Sequence, residues 1–183
     1  METRDLVRIA LFAAVIGALG LLPKFDLPFT AGVPVTAQSL GIMLAGIFLG
    51  ARNGALSVVL FLFVVALGMP LLAGGRGGLA PFFTPSAGFL IGFVPAAFVV
   101  GLVMSKLEKL PLVPAAIIAS ITGGIIVMYA IGIPVLAAKT ELSLTQAAMA
   151  SMAFLPGDLI KAVVAGLVTE AAFRAAPQAF AGR

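Results

Sequence analysis

Cysteine, histidine and tryptophan are absent from this 183-residue chain. Without cysteine or histidine there is no thiolate nucleophile and no imidazole base, and most zinc sites cannot be built. The lack of cysteine leaves the redox compartment open, since no disulfide was possible in any case. Charge is scarce as well: 10% of residues are charged, against about 25% in a soluble domain. The few acidic residues are scattered among different segments, so no nucleophile–base pair is visible and the chain does not read as an enzyme. It contains no G-x-x-x-x-G-K-[ST] sequence, so no loop of that kind cradles ATP phosphates. No metal, cofactor or nucleic-acid partner is expected. What the chain has in abundance is apolar residues, 62% of the total, with a mean hydropathy of +1.22. Such a chain cannot cover a water-facing surface, so its solvent is mostly the lipid bilayer.

Apolar runs alternate with short polar breaks. They cover Leu6 to Leu22, Gln38 to Gly50, Gly54 to Leu72, Ser86 to Met104, Pro114 to Ala138, and about Pro156 to Phe173. A spanning helix needs about 20 residues, so the expected fold is all-α: an integral-membrane bundle of six transmembrane helices, forming one domain over 1–183. The second run is short. The final apolar region begins near Leu142, too early for one span, so Leu144 to Ala153 reads as an interfacial or re-entrant piece. Pro156 is a natural start for helix six, because proline is tolerated in the first helical turn. The first run carries Arg4 and Arg8 but no convincing cleavage site, and is read as a retained span. Arg4, Arg8, Arg52, Lys106, Lys109, Arg174 and Arg183 fall on one side of a six-span topology; Lys24, Arg76 and Lys139 fall on the other. That bias places both termini in the cytoplasm. The longer loops then face outward, and the Arg52–Asn53–Gly54 turn faces inward.

Four features stand out against this background. Asp158 and Lys161 lie three residues apart, on one face of helix six. A charge at mid-bilayer costs at least about 2.5–3.5 kcal/mol, so the pair must face protein or a wet cavity. It could be a self-neutralising pair that orients the helix, or Lys161 could snorkel to the headgroups. It could also floor a pocket, offering an acceptor beside a donor to a ligand with adjacent N–H and C=O groups. The second feature is Gly74–Gly75–Arg76–Gly77–Gly78, a permissive loop around one cation, followed by Thr84 and Ser86 as candidate caps and by Phe82, Phe83, Phe89 and Phe93 as candidate pocket walls. Gly75 and Gly77 would let backbone approach a ligand, or let the loop act as a lid; a plain connector is the other reading. The third is Gly32 to Ser39, where Thr36, Gln38 and Ser39 could cap helix two or line the pocket. The fourth is a stripe of Ala10, Ala14 and Ala18 on helix one. It suits close approach of another helix, in this chain or in a separate subunit.

Together these features resemble the BioY family, the biotin-binding S components of energy-coupling factor (ECF) vitamin transporters. The resemblance rests on P-V-T-x-Q at Pro34 to Gln38, G-M-P-x-x-A-G-G-x-G-G at Gly68 to Gly78 and P-G-D-x-x-K at Pro156 to Lys161. It runs over nearly the whole chain. It implies a bacterial, multi-pass cell-membrane protein that captures biotin from the outer face. The captured biotin would pass to a transmembrane coupling subunit driven by two cytoplasmic ATPase subunits. Asp158 and Lys161 match the family's biotin-binding pair. Thr36, Gln38, Gly75, Arg76, Gly77, Ser86 and Phe89 are the further substrate-site candidates, and Ala10, Ala14 and Ala18 match the face that meets the coupling subunit. Phe89 departs from the pattern, since a tyrosine is common there and Phe89 lacks its hydroxyl. An S component for another vitamin, or a membrane scaffold without a small ligand, are the competing readings.

Overall fold

The computed structural model describes residues 2–24, 30, 33, 34 and 36–176. Arg183, and Gly32 and Val35 of the first loop, lie outside the described residues. Those described form helices and no strand; an isolated antiparallel bridge joins Leu72 to Arg76. The helices are α1 (Thr3–Gly20), α2 (Gln38–Ala66), α3 (Ala87–Lys106), α4 (Leu112–Thr140), α5 (Leu144–Met152) and α6 (Leu155–Ala175), with a short 3₁₀ turn at Ala80–Phe83. By length and composition α2, α3 and α4 can cross a membrane, and a fourth span results if α5 and α6, bent by 53°, are one broken helix.

Helix α2 is in fact two arms. Gly50 has φ 76° and ψ −179°, a backbone region open essentially to glycine alone. A Cβ on Gly54 would touch the backbone of Ala45 and Gly46. In one straight helix residues nine apart are separated by roughly 13 Å, so the chain doubles back at Gly50 and the arms pack antiparallel. Counting the arms separately, the longer helical segments are α1, the two arms, α3, α4 and α6. The reversal falls before the expected Arg52–Asn53–Gly54 turn, because those residues are already helical in the second arm. Gly101 of α3 packs directly on the backbone at Gly50 and Ala51, where any side chain would collide.

Helix α4 contains a π segment, Thr122–Val127. Its effect shows in the burial pattern. Buried positions step by four from Ala115 to Ala119 to Gly123, then by five to Met128, then by four again to Gly132 and Leu136. One extra residue rotates the following face by about 100° relative to an unbroken helix. Gly123 and Gly124 make the widened turn possible by letting α3 and Met43 close in, where a Cβ would clash.

The core is apolar and largely aliphatic, with Ile16, Ile42, Met43, Ile47, Val58, Val65, Val100 and one aromatic ring, Phe61, essentially fully buried. Outward-facing Leu11, Phe63, Ile160 and Leu167 are exposed, as expected where hydrocarbon covers the surface. The start of α1, the Gly50 reversal, the α3–α4 connection and the end of α6 gather at one end of the bundle, around one cavity. At the other end, the starts of α2, α3 and α6 meet the hairpin around Leu72–Arg76 and the later part of α4.

Candidate functional site

Pro156 stands at the opening of α6, which puts Asp158 in its first turn. Asp158 is 3% exposed, yet its carboxylate is well supplied. Lys161 Nζ donates to Oδ1 at 2.8 Å, Ser39 Oγ donates to Oδ1 at 3.2 Å, and the Tyr129 hydroxyl donates to Oδ2 at 2.7 Å. Lys161 Nζ also donates to Ser39 Oγ at 2.9 Å. Three helices therefore converge on one carboxylate: α2 through Ser39, α4 through Tyr129 and α6 itself. A carboxylate has about four acceptor positions and an ammonium three N–H groups. Among the described residues three positions and two N–H groups are used, leaving one acceptor position, on Oδ2, and one ammonium N–H.

These residues line one lobe of a cleft. A second lobe shares Val33, Pro34, Thr36, Phe89 and Phe93 with it, and each lobe has a volume of about 60 Å³. The first lobe adds Ser39, Met128, Tyr129, Phe154, Asp158 and Lys161. The second adds Gln38, Leu72, Arg76, Pro81, Ser86 and Leu90. Phe89 forms the partition. Its ring meets Tyr129 edge-on at 6.0 Å and Phe154 at 6.1 Å, the geometry that aromatic quadrupoles favour. Gly132 leaves the space for that ring, for a Cβ there would overlap Phe89.

Of the residues expected at a site, Asp158 and Lys161 stand in the first lobe, Arg76, Ser86 and Gln38 in the second, and Thr36 and Phe89 in both. Gln38 is 2% exposed and already engaged. Its Nε2 donates to Ile16 O at 3.4 Å and Leu71 O at 3.0 Å, and its Oε1 accepts from Ala73 N at 3.1 Å. It is a strut tying α1, α2 and the Leu72–Arg76 hairpin together. Gly75 and Gly77 line neither lobe. Gly74, Gly75 and Gly78 have φ of 80°, 70° and 75°, so the glycines serve the turn that presents Arg76. At Gly77 the Met69 carbonyl leaves no room for a side chain. Arg76 Nε donates to Ala73 O at 3.2 Å, and among the described residues its other guanidinium N–H groups have no hydrogen-bond partner.

Thr36 accepts the Gln38 N–H at 3.3 Å. Ser86 precedes α3 but does not cap it through its side chain; its hydroxyl instead pairs with Thr84 Oγ1 at 3.0 Å, and Thr84 donates to Pro81 O at 2.8 Å. Phe93 shares the partition wall, whereas Phe83 is 70% exposed. Lys24 packs over Gly74. Ala10, Ala14 and Ala18 all lie on the exposed face of α1, while Ile9, Ala13, Ile16 and Gly17 face the bundle. Among the described residues no neighbouring helix covers the alanine stripe. Tyr129, Met128 and Phe154 were not among the expected site residues. The one available signal was that Tyr129 is the only tyrosine in the chain, a hydroxyl placed inside an otherwise apolar run.

A helical membrane protein with a cleft at one end, aromatic-walled and holding a buried carboxylate–ammonium–phenol cluster, is a solute-binding integral-membrane protein. The chain matches the BioY family over residues 1–178 and belongs to that family. It is 53% identical over 176 residues to the biotin transporter BioY of Rhizobium etli, covering 93% of this chain and 94% of that one. It is 48% identical to the biotin transporter BioY of Rhodobacter capsulatus, over 98% of each. Its fold superposes on a crystal structure of the S-component for biotin from an ECF-type ABC transporter with a TM-score of 0.88, at 30% identity and 95% coverage of both chains. The family is one of transporter components, not enzymes.

Proposed function

We propose that this protein is the membrane-embedded biotin-binding S component of an ECF-type transporter. It captures biotin at the cleft end of the bundle and hands it to a transmembrane coupling subunit driven by two cytoplasmic ATPases. The observation that carries this reading is the polarity of the cleft, with a donor–acceptor cluster in one lobe, Arg76 in the other and a phenylalanine wall between. Biotin has the matching order of groups: a cyclic urea, a thioether ring, and a tail ending in a carboxylate. The spare Asp158 acceptor takes a ureido N–H and the spare Lys161 N–H donates to the ureido oxygen. Phe89 and Phe154 pack the sulfur ring, and Arg76 with Ser86 receives the carboxylate. Specificity of this kind is strong, because a ligand lacking the N–H or C=O leaves buried groups unpaired.

Each lobe is far smaller than the roughly 300–1,000 Å³ of a typical ligand site. Binding therefore separates Val33, Pro34 and Thr36 from Phe89 and joins the lobes. The excess of basic residues at the opposite end supports a cytoplasmic location for that end, so the cleft opens outward. The exposed alanine stripe on α1 is the face that meets the coupling subunit, where small residues allow close helix approach.

Titration calorimetry of the detergent-solubilised chain against biotin, thiamine and riboflavin tests the reading. Biotin alone should bind, and Asp158→Asn should weaken it at least about a hundred-fold, the cost of a charge-assisted hydrogen bond in a buried site. Binding of another vitamin in place of biotin would refute the substrate assignment. Full-strength biotin binding by Asp158→Asn would refute the site.

A further inference from the structure

A cavity larger than either lobe of the cleft is also present. It lies at the opposite end, where both described chain ends meet the Gly50 reversal, and its volume is about 770 Å³. Its walls include Phe48, Leu49, Met104, Leu112 and Phe173, and four charged residues join them: Arg8, Glu108, Glu170 and Arg174. Glu170 and Arg174 are mated to each other at 2.9 Å. Arg8 and Glu108 make no side-chain hydrogen bond or ion pair among the described residues. After the internal pairing, the cavity offers one cation, one carboxylate and an apolar wall.

We propose that this cavity is a site for a zwitterionic phospholipid whose headgroup nitrogen carries N–H donors, namely phosphatidylethanolamine. The cavity is lined by the ends of helices that cross the bilayer, so it lies at headgroup depth. Its apolar wall accepts acyl chain, which a soluble ion could not use. Arg8 pairs with the phosphate, for which a guanidinium fork is well shaped. Glu108 accepts from the ammonium. A phosphatidylcholine headgroup has the same net charge but no N–H to donate. The anionic headgroup of phosphatidylglycerol leaves Glu108 facing a like charge. The site is independent of the biotin reading, since none of its residues lines the cleft.

Native mass spectrometry of the full chain tests this. The protein is stripped of lipid, then offered equimolar dioleoyl phosphatidylethanolamine, phosphatidylcholine and phosphatidylglycerol. The expected result is retention of phosphatidylethanolamine, with phosphatidylcholine held roughly ten-fold less, the factor of one charge-assisted hydrogen bond. Glu108→Gln should erase the preference between those two lipids, and Arg8→Gln should lower retention of both. Equal retention of all three classes by the parent, the parent's preference persisting in Glu108→Gln, or undiminished retention in Arg8→Gln overturns the proposal. So does selective retention of phosphatidylglycerol. Biotin titration of the same samples monitors folding at the far end, which neither substitution touches.

Discussion

Replacing Asp158 by asparagine changes almost no volume but keeps one oxygen of two, so the amide can accept from Tyr129, which donates to Oδ2, or from Ser39, which donates to Oδ1, but not from both. What it removes is the partner of Lys161. The lysine side chain is 17% exposed and that of Asp158 5%, so the ammonium is left mostly out of water with only Ser39 Oγ at 2.9 Å. Breaking a buried pair from one side costs about 3–5 kcal/mol. The remaining exposure of Lys161 puts this case near the lower figure, about 3 kcal/mol. For a chain of this length that corresponds to a fall in melting temperature of roughly 6–12 °C. Adding Lys161→Met takes away the stranded charge and inserts an apolar side chain of similar length, so the double variant should recover more than half of that loss. Biotin binding should stay weakened at least about a hundred-fold in both. The assay is thermal unfolding of the ligand-free proteins in one detergent at one scan rate, because melting of such proteins is commonly irreversible. A double variant no more stable than Asp158→Asn would show that Lys161 does not depend on Asp158. The ion pair would then be the wrong description of the site's foundation.

Three further outcomes are expected. Gly132→Ala should displace the Phe89 ring and cost about 1–3 kcal/mol by overpacking, with weaker biotin binding in calorimetry; unchanged affinity would mean that Phe89 does not wall the site. Gln38→Leu should leave the Ala73 N–H and the Leu71 carbonyl unpaired, at about 1–3 kcal/mol each. It should release the Arg76 hairpin, so discrimination of biotin from its carboxamide in a competition assay should fall; intact discrimination would refute the strut role. Gly50→Ala and Gly50→Asn should be destabilising to a similar extent, about 1–3 kcal/mol, although nothing lies within 4 Å of a Cβ there. A substantial rescue by asparagine in thermal unfolding would place the reversal in ordinary left-handed backbone instead.

The features legible in the sequence were those whose energetic cost is local. Asp158 and Lys161 stood out because charge within an apolar run is costly unless it faces something polar. Pro156 marked the start of α6 because proline suits a first turn. The six apolar runs correspond to α1, the two arms of α2, α3, α4 and α6. Features set by three-dimensional packing were not legible. The α2 reversal hinges on the φ of Gly50, whereas the polar Arg52 and Asn53 drew the turn toward themselves. Tyr129 escaped notice because it sits within the long apolar run Pro114 to Ala138, and its approach to Asp158 depends on how separate helices pack together. Gln38 was a candidate cap or pocket residue, but that its amide would be consumed by Ile16, Leu71 and Ala73 depends on segments up to 35 residues away.

The same packing explains how a charged cluster can wait inside a membrane protein and still bind a ligand. A bare Asp158–Lys161 pair would tend either to collapse on itself or to draw in water. Here Tyr129 and Ser39, each fixed on a different helix, hold the carboxylate while leaving one acceptor and one ammonium N–H uncommitted. The cost of orienting those groups is met when the bundle folds, not when the ligand arrives, and that pre-organisation is what lets a few polar contacts add affinity. The π segment belongs to this arrangement: without its extra residue, α4 would turn the Tyr129 hydroxyl away from Asp158. Deleting one residue from Thr122–Val127 should therefore straighten α4 at the expense of the cluster, and biotin affinity should fall even where the protein still folds.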